Sequence, residues 1–317
     1  MAGNSDTPRA IIIDTDPGQD DAIAILLALA SPELDVLGIT TVAGNVPLPL
    51  TSKNALKICE LAGRRDIRVF AGADAPLIRA LITAEYVHGK TGLDGPDLPE
   101  PTMQLAEGHA VDFIISTLRD NAIGHVTLCV LGPMTNIALA LQKAPDIAVK
   151  IREIVLMGGG FFEGGNVTPA AEFNIFVDPQ AAEIVFSSGI PIVMAPLDCT
   201  HKALTTQARI DALRAKNTTV CDATADLVDF FERFDEEKYG TDGGPLHDPC
   251  VIAYLLRPAL FKSKMCNVTI ETQSELTMGM TVIDWWGVTK REKNALVLSD
   301  IDAAGFFELI TERVSRL

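Results

Sequence analysis

The chain has 317 residues, 48% of them apolar and 21% charged, enough to bury a sizeable core and too apolar for intrinsic disorder. Forty-two acidic residues against 26 basic give a formal charge of −16, which excludes a surface built to displace counterions from DNA or RNA. The opening residues lack the basic-then-apolar pattern of a signal peptide. The longest apolar run, Ala22–Ala30, is nine residues, against about 20 for a bilayer span.

In chain order, Ala10–Ile13 reads as a buried strand and Ala22–Ala30 as a helix apolar on nearly every face. Asp35–Val42 is a second strand, Ser52–Ala62 a helix closed by Gly63, and Ile67–Phe70 a third strand. Helix Ala106–Arg119, strand His125–Leu131 and helix Thr135–Lys143 follow. Strands Ile151–Met157 and Pro191–Ala195 flank a helix over Pro179–Ser187. Thr218–Glu236 and His247–Leu256 read as helices, Asn267–Thr272 and Glu275–Met280 as paired strands, and Ala303–Val314 as a closing helix. Continuous apolar strands alternating with helices predict an α/β fold: a mainly parallel, Rossmann-like sheet flanked by helices. The last third adds a small antiparallel extension. No linker or repeat divides the chain, so one domain over 1–317 is expected.

Six cysteines are scattered without a CxxC pair, which argues against zinc and redox motifs and for reduced, buried thiols in a cytoplasmic protein. Polar residues concentrate just after the strands: Asp14 to Asp21, Asn45, Gly158 to Asn174, and Asp198. In a parallel sheet these positions share the edge where ligands bind.

Four carboxylates crowd the turn Asp14-Thr15-Asp16-Pro17-Gly18-Gln19-Asp20-Asp21. Helix capping explains one of them; four in a half-buried turn repel one another unless a cation intervenes, and Ca²⁺ or Mg²⁺ suits an all-oxygen site. Asp248, in His247-Asp248-Pro249, reads as an N-cap that retains an oxygen for a metal. Glu172 and Asn174, with Asn166, suit neutral hydroxyls better than phosphate, and neither GxGxxG nor a P-loop is present.

The segments IIIDTDPGQDDAIAILLAL, ITTVAGN, VLGPMTNIALAL, VLMGGG with AEFNI, and HDPC together resemble the nucleoside hydrolase family of the inosine–uridine preferring type. The resemblance implies hydrolysis of the N-glycosidic bond of ribonucleosides. By similarity Asp16, Asp21, Asp248 and the carbonyl of Leu131 hold one Ca²⁺, whose remaining positions go to a water and the ribose 2′- and 3′-hydroxyls. Asp16 is the general base toward that water. Asp20, Asn45 and Asn174 correspond to binders of the ribose hydroxyls, Asn166 and Glu172 to those of the 5′-hydroxyl, with Met157 packing beneath. His247 corresponds to a histidine that protonates the leaving base or merely shapes the pocket, and His88 to a base-side position. Tyr239 matches a base contact of pyrimidine-preferring members, while Asp235 stands where some members have an aromatic. The run Gly240–Gly244 suggests a flap, and Trp285-Trp286 reads as packing. Relatives assemble as dimers or tetramers, so a homo-oligomer is implied.

Three rivals stay open: a glycosyltransferase using Asp14 and Asp16 as a DxD clamp, an aspartate-dependent phosphohydrolase, and a non-catalytic nucleoside-binding protein. The first two need cations near phosphate, and the strand-end loops are nearly free of Lys and Arg.

Overall fold

Residues 7–239 and 243–317 are described by the computed structural model, the side chains of 234–239 excepted. The chain begins with strand β1 (Arg9–Thr15), helix α1 (Gln19–Leu29), β2 (Leu34–Thr41), α2 (Leu48–Leu61) and β3 (Val69–Ala71). Helices α3 (Glu85–His88) and α4 (Ala110–Asp120) lead to β4 (Val126–Val130), α5 (Thr135–Lys143) and β5 (Ile151–Met157). Then come α6 (Phe173–Val177), α7 (Pro179–Phe186), β6 (Ile192–Ala195), α8 (Leu197–Thr200) and α9 (Gln207–Arg214). They are followed by α10 (Thr219–Tyr239), α11 (Pro249–Leu256), β7 (Phe261–Cys266) and β8 (Val268–Ile270). β9 (Thr281–Ile283), β10 (Ala295–Ile301) and α12 (Ala303–Val314) close the chain.

The eight-stranded sheet is ordered β3-β2-β1-β4-β5-β6-β10-β7. Every neighbouring pair is parallel except β10–β7, and β8–β9 form a separate antiparallel pair. This is the predicted α/β architecture. Strand order reverses between β1 and β4, and the crevice at such a reversal, beyond the carboxyl ends of the strands, is where α/β sheets bind ligands.

Side-chain alternation on β1 feeds both cores: Ile11 and Ile13 pack with α1, α2 and α11, Ala10 and Ile12 with α4, α5 and α7. Every residue of α1 is buried, because α2, α10, α11 and α12 all contact it. All six cysteines are buried and free. Among the described residues no helix is long and apolar enough to cross a membrane.

The structure moves several predicted boundaries for local reasons. Helix α2 begins at Leu48, not Ser52, since Pro49 is tolerated in a first turn. α4 begins at Ala110, not Ala106, because Gly108 is left-handed (φ 98°) and His109 Nδ1 accepts from Val111 N. The predicted strand Glu275–Met280 is instead a turn, with Gly279 N donating to Glu271 O; the partner of β8 is β9. Besides β9, two strands were not predicted. β7 is an exposed, lysine-bearing edge with no apolar alternation, and β10 inserts between β6 and β7 from the far end of the chain.

Candidate active site

The acidic turn lies at the strand-order reversal. β1 ends at Thr15, Asp16-Pro17-Gly18 turns the chain, and α1 starts at Gln19. Asp21 organises the turn: its Oδ2 accepts from Gly18 N (2.9 Å), and its Oδ1 from the Thr15 hydroxyl (2.5 Å) and Asp16 N (3.3 Å). Asn45, just beyond β2, braces it from the side. Asn45 N donates to Asp16 Oδ2 (2.7 Å), and Asn45 Nδ2 donates to Asp21 Oδ2 (3.1 Å) and Asp16 O (3.2 Å). Asp16 Oδ1 is buried with no hydrogen-bond partner.

Asp20, Asp21 and Asp248 bring one oxygen each within 4.8 Å of one another. Asp16 stands beside this trio, close enough that the charges of Asp20 and Asp21 oppose its ionisation. Burial is the main cause of raised carboxyl pKa values here. It drives Asp16 and Asp248 well above the usual range, Asp20 to about 8, and Asp21 upward. Asp248 makes no capping hydrogen bond at the start of α11; its carboxyl is hydrogen-bonded to Asp21 instead.

Asp14 takes no part in this cluster. Its Oδ1 accepts from Thr40 Oγ1 (2.6 Å) and Asn136 Nδ2 (2.8 Å) beneath the sheet edge, and burial raises its pKa to about 7. A DxD clamp through Asp14 and Asp16 therefore lacks one arm.

A cleft open to solvent lies above the acids. It is lined at the acidic end by Asp20, Asn45, Leu131, Asn174 and Asp248, and elsewhere by His88, Met157, Asn166, Glu172 and His247. Asp16 and Asp21 lie outside this lining, and among the described residues no Lys or Arg is in it.

Beyond β4, Leu131 O accepts from Asn174 Nδ2 (2.7 Å), which also reaches Met157 O (3.3 Å). One carbonyl lone pair remains on Leu131. Glu172 caps α6: its Oε1 accepts from Asn174 N (2.8 Å), and its Oε2 from Gly159 N (2.8 Å) and Ile175 N (3.3 Å). Burial lifts its pKa to about 7 against these bonds. Asn166 Oδ1 accepts from Phe173 N (3.0 Å). The glycine loop after β5 is tied down: the Asp198 carboxylate accepts from Phe161, Phe162 and Glu163 N–H, and Thr281 holds Gly160.

Three rings gather in the cleft. His88 stacks on Phe231 (5.6 Å between centroids), which meets His247 edge-on at 6.4 Å. Burial holds His88 down at about 3; burial, reinforced by His201 and His88, holds His247 well below the ordinary value. His247 Nδ1 lies 2.7 Å from the buried Thr200 hydroxyl, and burial favours the neutral ring. A neutral imidazole donates a hydrogen bond, not a stored proton.

Sequence reasoning missed Gln19, Thr200 and His201. His201 lines the cleft, and the others hold its histidines through long-range contacts invisible in a single chain. Phe231, from the segment before HDP to which the resemblance assigns the base pocket, lines the cleft as well. Tyr239 ends α10, but its side chain and that of Asp235 lie outside the described residues. Of the expected flap, 240–242 also lie outside; Gly244 O accepts from Thr205 N (2.8 Å) and Thr205 Oγ1 (2.7 Å), which fixes that end. Trp285 packs on Phe161 (5.0 Å), and neither tryptophan lines the cleft.

Comparison with known proteins gives the same picture from outside the molecule. The profile of inosine-uridine preferring nucleoside hydrolases matches residues 11–308. An uncharacterized protein of Schizosaccharomyces pombe is 55% identical over 97% of this chain and 99% of its own. The pyrimidine-specific ribonucleoside hydrolase RihA of Salmonella typhimurium is 52% identical over 96% of this chain and 97% of its own. Among solved structures, a purine-preferring ribonucleoside hydrolase from Gardnerella vaginalis superposes with a TM-score of 0.91 at 34% identity. It covers 97% of this chain and 98% of its own.

Proposed function

This chain belongs to the inosine-uridine preferring nucleoside hydrolase family and is a ribonucleoside N-ribohydrolase; from that premise we propose that it acts with a bound divalent cation, Asp16 serving as general base. The observation that carries the reading is Asp16 Oδ1, a buried carboxylate oxygen without a partner beside three more carboxylates. The donor set is all oxygen, which suits a hard ion, and calcium tolerates the irregular arrangement that magnesium does not. Asp16, Asp21, Asp248 and the Leu131 carbonyl would hold it, with Asp20 close by. Bound there, the ion offsets the repulsion among the carboxylates and acidifies nearby water.

The residues of the chain divide the remaining work by position. Asp16 takes a proton from the attacking water through its unpartnered oxygen. Asp20, Asn45 and Asn174 receive the ribose 2′- and 3′-hydroxyls at the acidic end, Glu172 and Asn166 the 5′-hydroxyl, with Met157 beneath the sugar. Glycosidic cleavage builds positive charge on the sugar, and a ring of carboxylates stabilises it. His247, kept neutral, donates a hydrogen bond to the departing base. His88 and Phe231 form the wall against which that base lies.

Pyrimidine ribonucleosides are the preferred substrates in this reading. It is supported by the 52% identity, over nearly the whole chain, to a relative named for that specificity; the purine-preferring structure is only 34% identical. The whole chain works as one domain. The test is ribose release, scored as kcat/KM on uridine, cytidine, inosine and adenosine with and without chelator. Cation-dependent release with pyrimidines ahead of purines is expected. Binding of nucleoside without ribose release would refute the mechanism, and purines ahead would refute the base preference.

A further inference from the structure

Gln19 occupies the variable position inside the acidic turn, yet it is fully buried and makes three hydrogen bonds to one loop. Its Nε2 donates to His88 O (3.0 Å) and to Asp94 O (3.0 Å). Both partners are carbonyl oxygens, so the amide cannot be reversed without setting oxygen against oxygen. Its Oε1 must then face His88 Nδ1, 2.8 Å away. A carbonyl oxygen only accepts, so Nδ1 carries the hydrogen.

The loop is fastened to the acidic turn elsewhere too. Asn54 Nδ2 donates to Pro17 O (2.9 Å) on the turn and to Thr91 O (2.8 Å) on the loop. The Nδ1–Cε1 edge of the imidazole abuts Gly18, where a Cβ would lie 2.8 Å from Cε1. Gln19 thus holds the ring at Nδ1 while Gly18 closes on the same edge. His88 lines the cleft, and its Nε2 has no partner among the described residues. The ring lies against Phe231, and no carboxylate among the described residues is hydrogen-bonded to it.

We propose that Gln19 is a positioning residue that locks His88 in the Nδ1–H form, so that Nε2 offers the nucleobase a hydrogen-bond acceptor and selects bases with a ring N–H beside a carbonyl. Uracil presents such an N–H at N3; cytosine presents a lone pair at the same atom, and the two lone pairs repel. The inference rests on the hydrolase reading above and deepens it by naming the base class. Burial, which keeps the ring neutral at working pH, works in the same direction. A site built around one hydrogen bond rejects the analogue that lacks it, here by about 10- to 100-fold.

The experiment compares kcat/KM for uridine, 3-methyluridine and cytidine in the wild type and in Gln19→Leu. Alongside it, two-bond ¹H–¹⁵N spectra of the wild-type histidine rings are assigned against His88→Asn. Uridine should lead cytidine and 3-methyluridine by about 10-fold or more, and the uridine-to-cytidine ratio should fall toward unity in Gln19→Leu. The spectra should show His88 protonated at Nδ1. Cytidine cleaved as fast as uridine, or a His88 protonated at Nε2, overturns the proposal. If Gln19→Leu fails to fold, the wild-type ratio and the ring spectrum decide alone. Absence of ribose from every riboside would sink the hydrolase mechanism instead, and the ring spectrum would then judge the Gln19–His88 lock by itself.

Discussion

Removing the cation should make stability depend on pH in a direction opposite to ordinary acid denaturation. One carboxylate oxygen from each of Asp20, Asp21 and Asp248 lies within 4.8 Å of the other two, so at an effective dielectric of about 20 each ionised pair repels by about 3.5 kcal/mol or more. Three such pairs approach about 10 kcal/mol, comparable with the whole stability of a typical domain. The cation-free protein therefore keeps protons on these groups. Asp20, for example, titrates near 8 when folded against 3.8 in a free chain. A folded state that holds protons the unfolded chain has lost becomes less stable as pH rises through that interval, here from about 4 to about 8.

Calcium must displace those protons, so its stabilising effect grows with pH. At about 100 times its dissociation constant it adds about 3 kcal/mol, or about 5 °C in Tm for a chain of this length. Each proton displaced weakens that gain by about 1.4 kcal/mol per pH unit of acidification. The gap in Tm between calcium and chelator should be about 5 °C at pH 8 and nearly vanish at pH 6. Scanning calorimetry measures the gap, and calorimetric titration in buffers of different ionisation enthalpy counts the protons released at pH 7. An equal gap at both pH values, or binding that releases no proton, would refute the reasoning.

The remaining predictions concern catalysis. Asp16→Asn should lower kcat about 10²- to 10⁴-fold on every riboside and weaken calcium binding; near-normal turnover would remove Asp16 as the base. His247→Ala should cost about 10²-fold or more on uridine but less than about 10-fold on p-nitrophenyl riboside, whose leaving group needs no help, and equal losses on both would confine His247 to shaping the cleft. A methyl added at Gly132 would lie 2.8 Å from Asp16 Cγ, so Gly132→Ala should displace that carboxylate and cost about 10²-fold in kcat with the circular-dichroism spectrum unchanged; full activity would show that the position of Asp16 is not critical.

What could be read from the sequence follows a physical division. Strands β1, β4 and β6 are buried along nearly their whole length, and β2 and β5 over their C-terminal halves, so each contains an apolar stretch that no helix period disguises. β7 covers an edge, exposes Lys262 and Lys264, and carries no such signal. The acids were legible because the geometry of one turn forces them to be close in sequence: Asp16, Asp20 and Asp21 serve one cluster from within six residues spanning Pro17-Gly18. Their supports were not, since Gln19 meets His88 across 69 positions and Thr200 meets His247 across 47. Only the folded chain shows that a buried amide and a buried hydroxyl each hold a ring nitrogen of the cleft.

The glycines of AGN and LGP make the same point in a different currency, that of space. Neither Gly44 nor Gly132 has a positive φ, so backbone freedom does not explain them. A Cβ on either would lie 2.8 Å from Asp16 Cγ, one on each oxygen's side. The pair grips the carboxylate from β2's and β4's ends, and Asn45 N fixes one oxygen at 2.7 Å. The other oxygen is thereby held bare inside the protein, a costly arrangement for a buried polar atom. Such a cost persists only where the packing around it enforces the position. Two glycines that exist to make room for one aspartate are thus evidence, independent of any motif, that its bare oxygen is what the strand-order reversal is built to present.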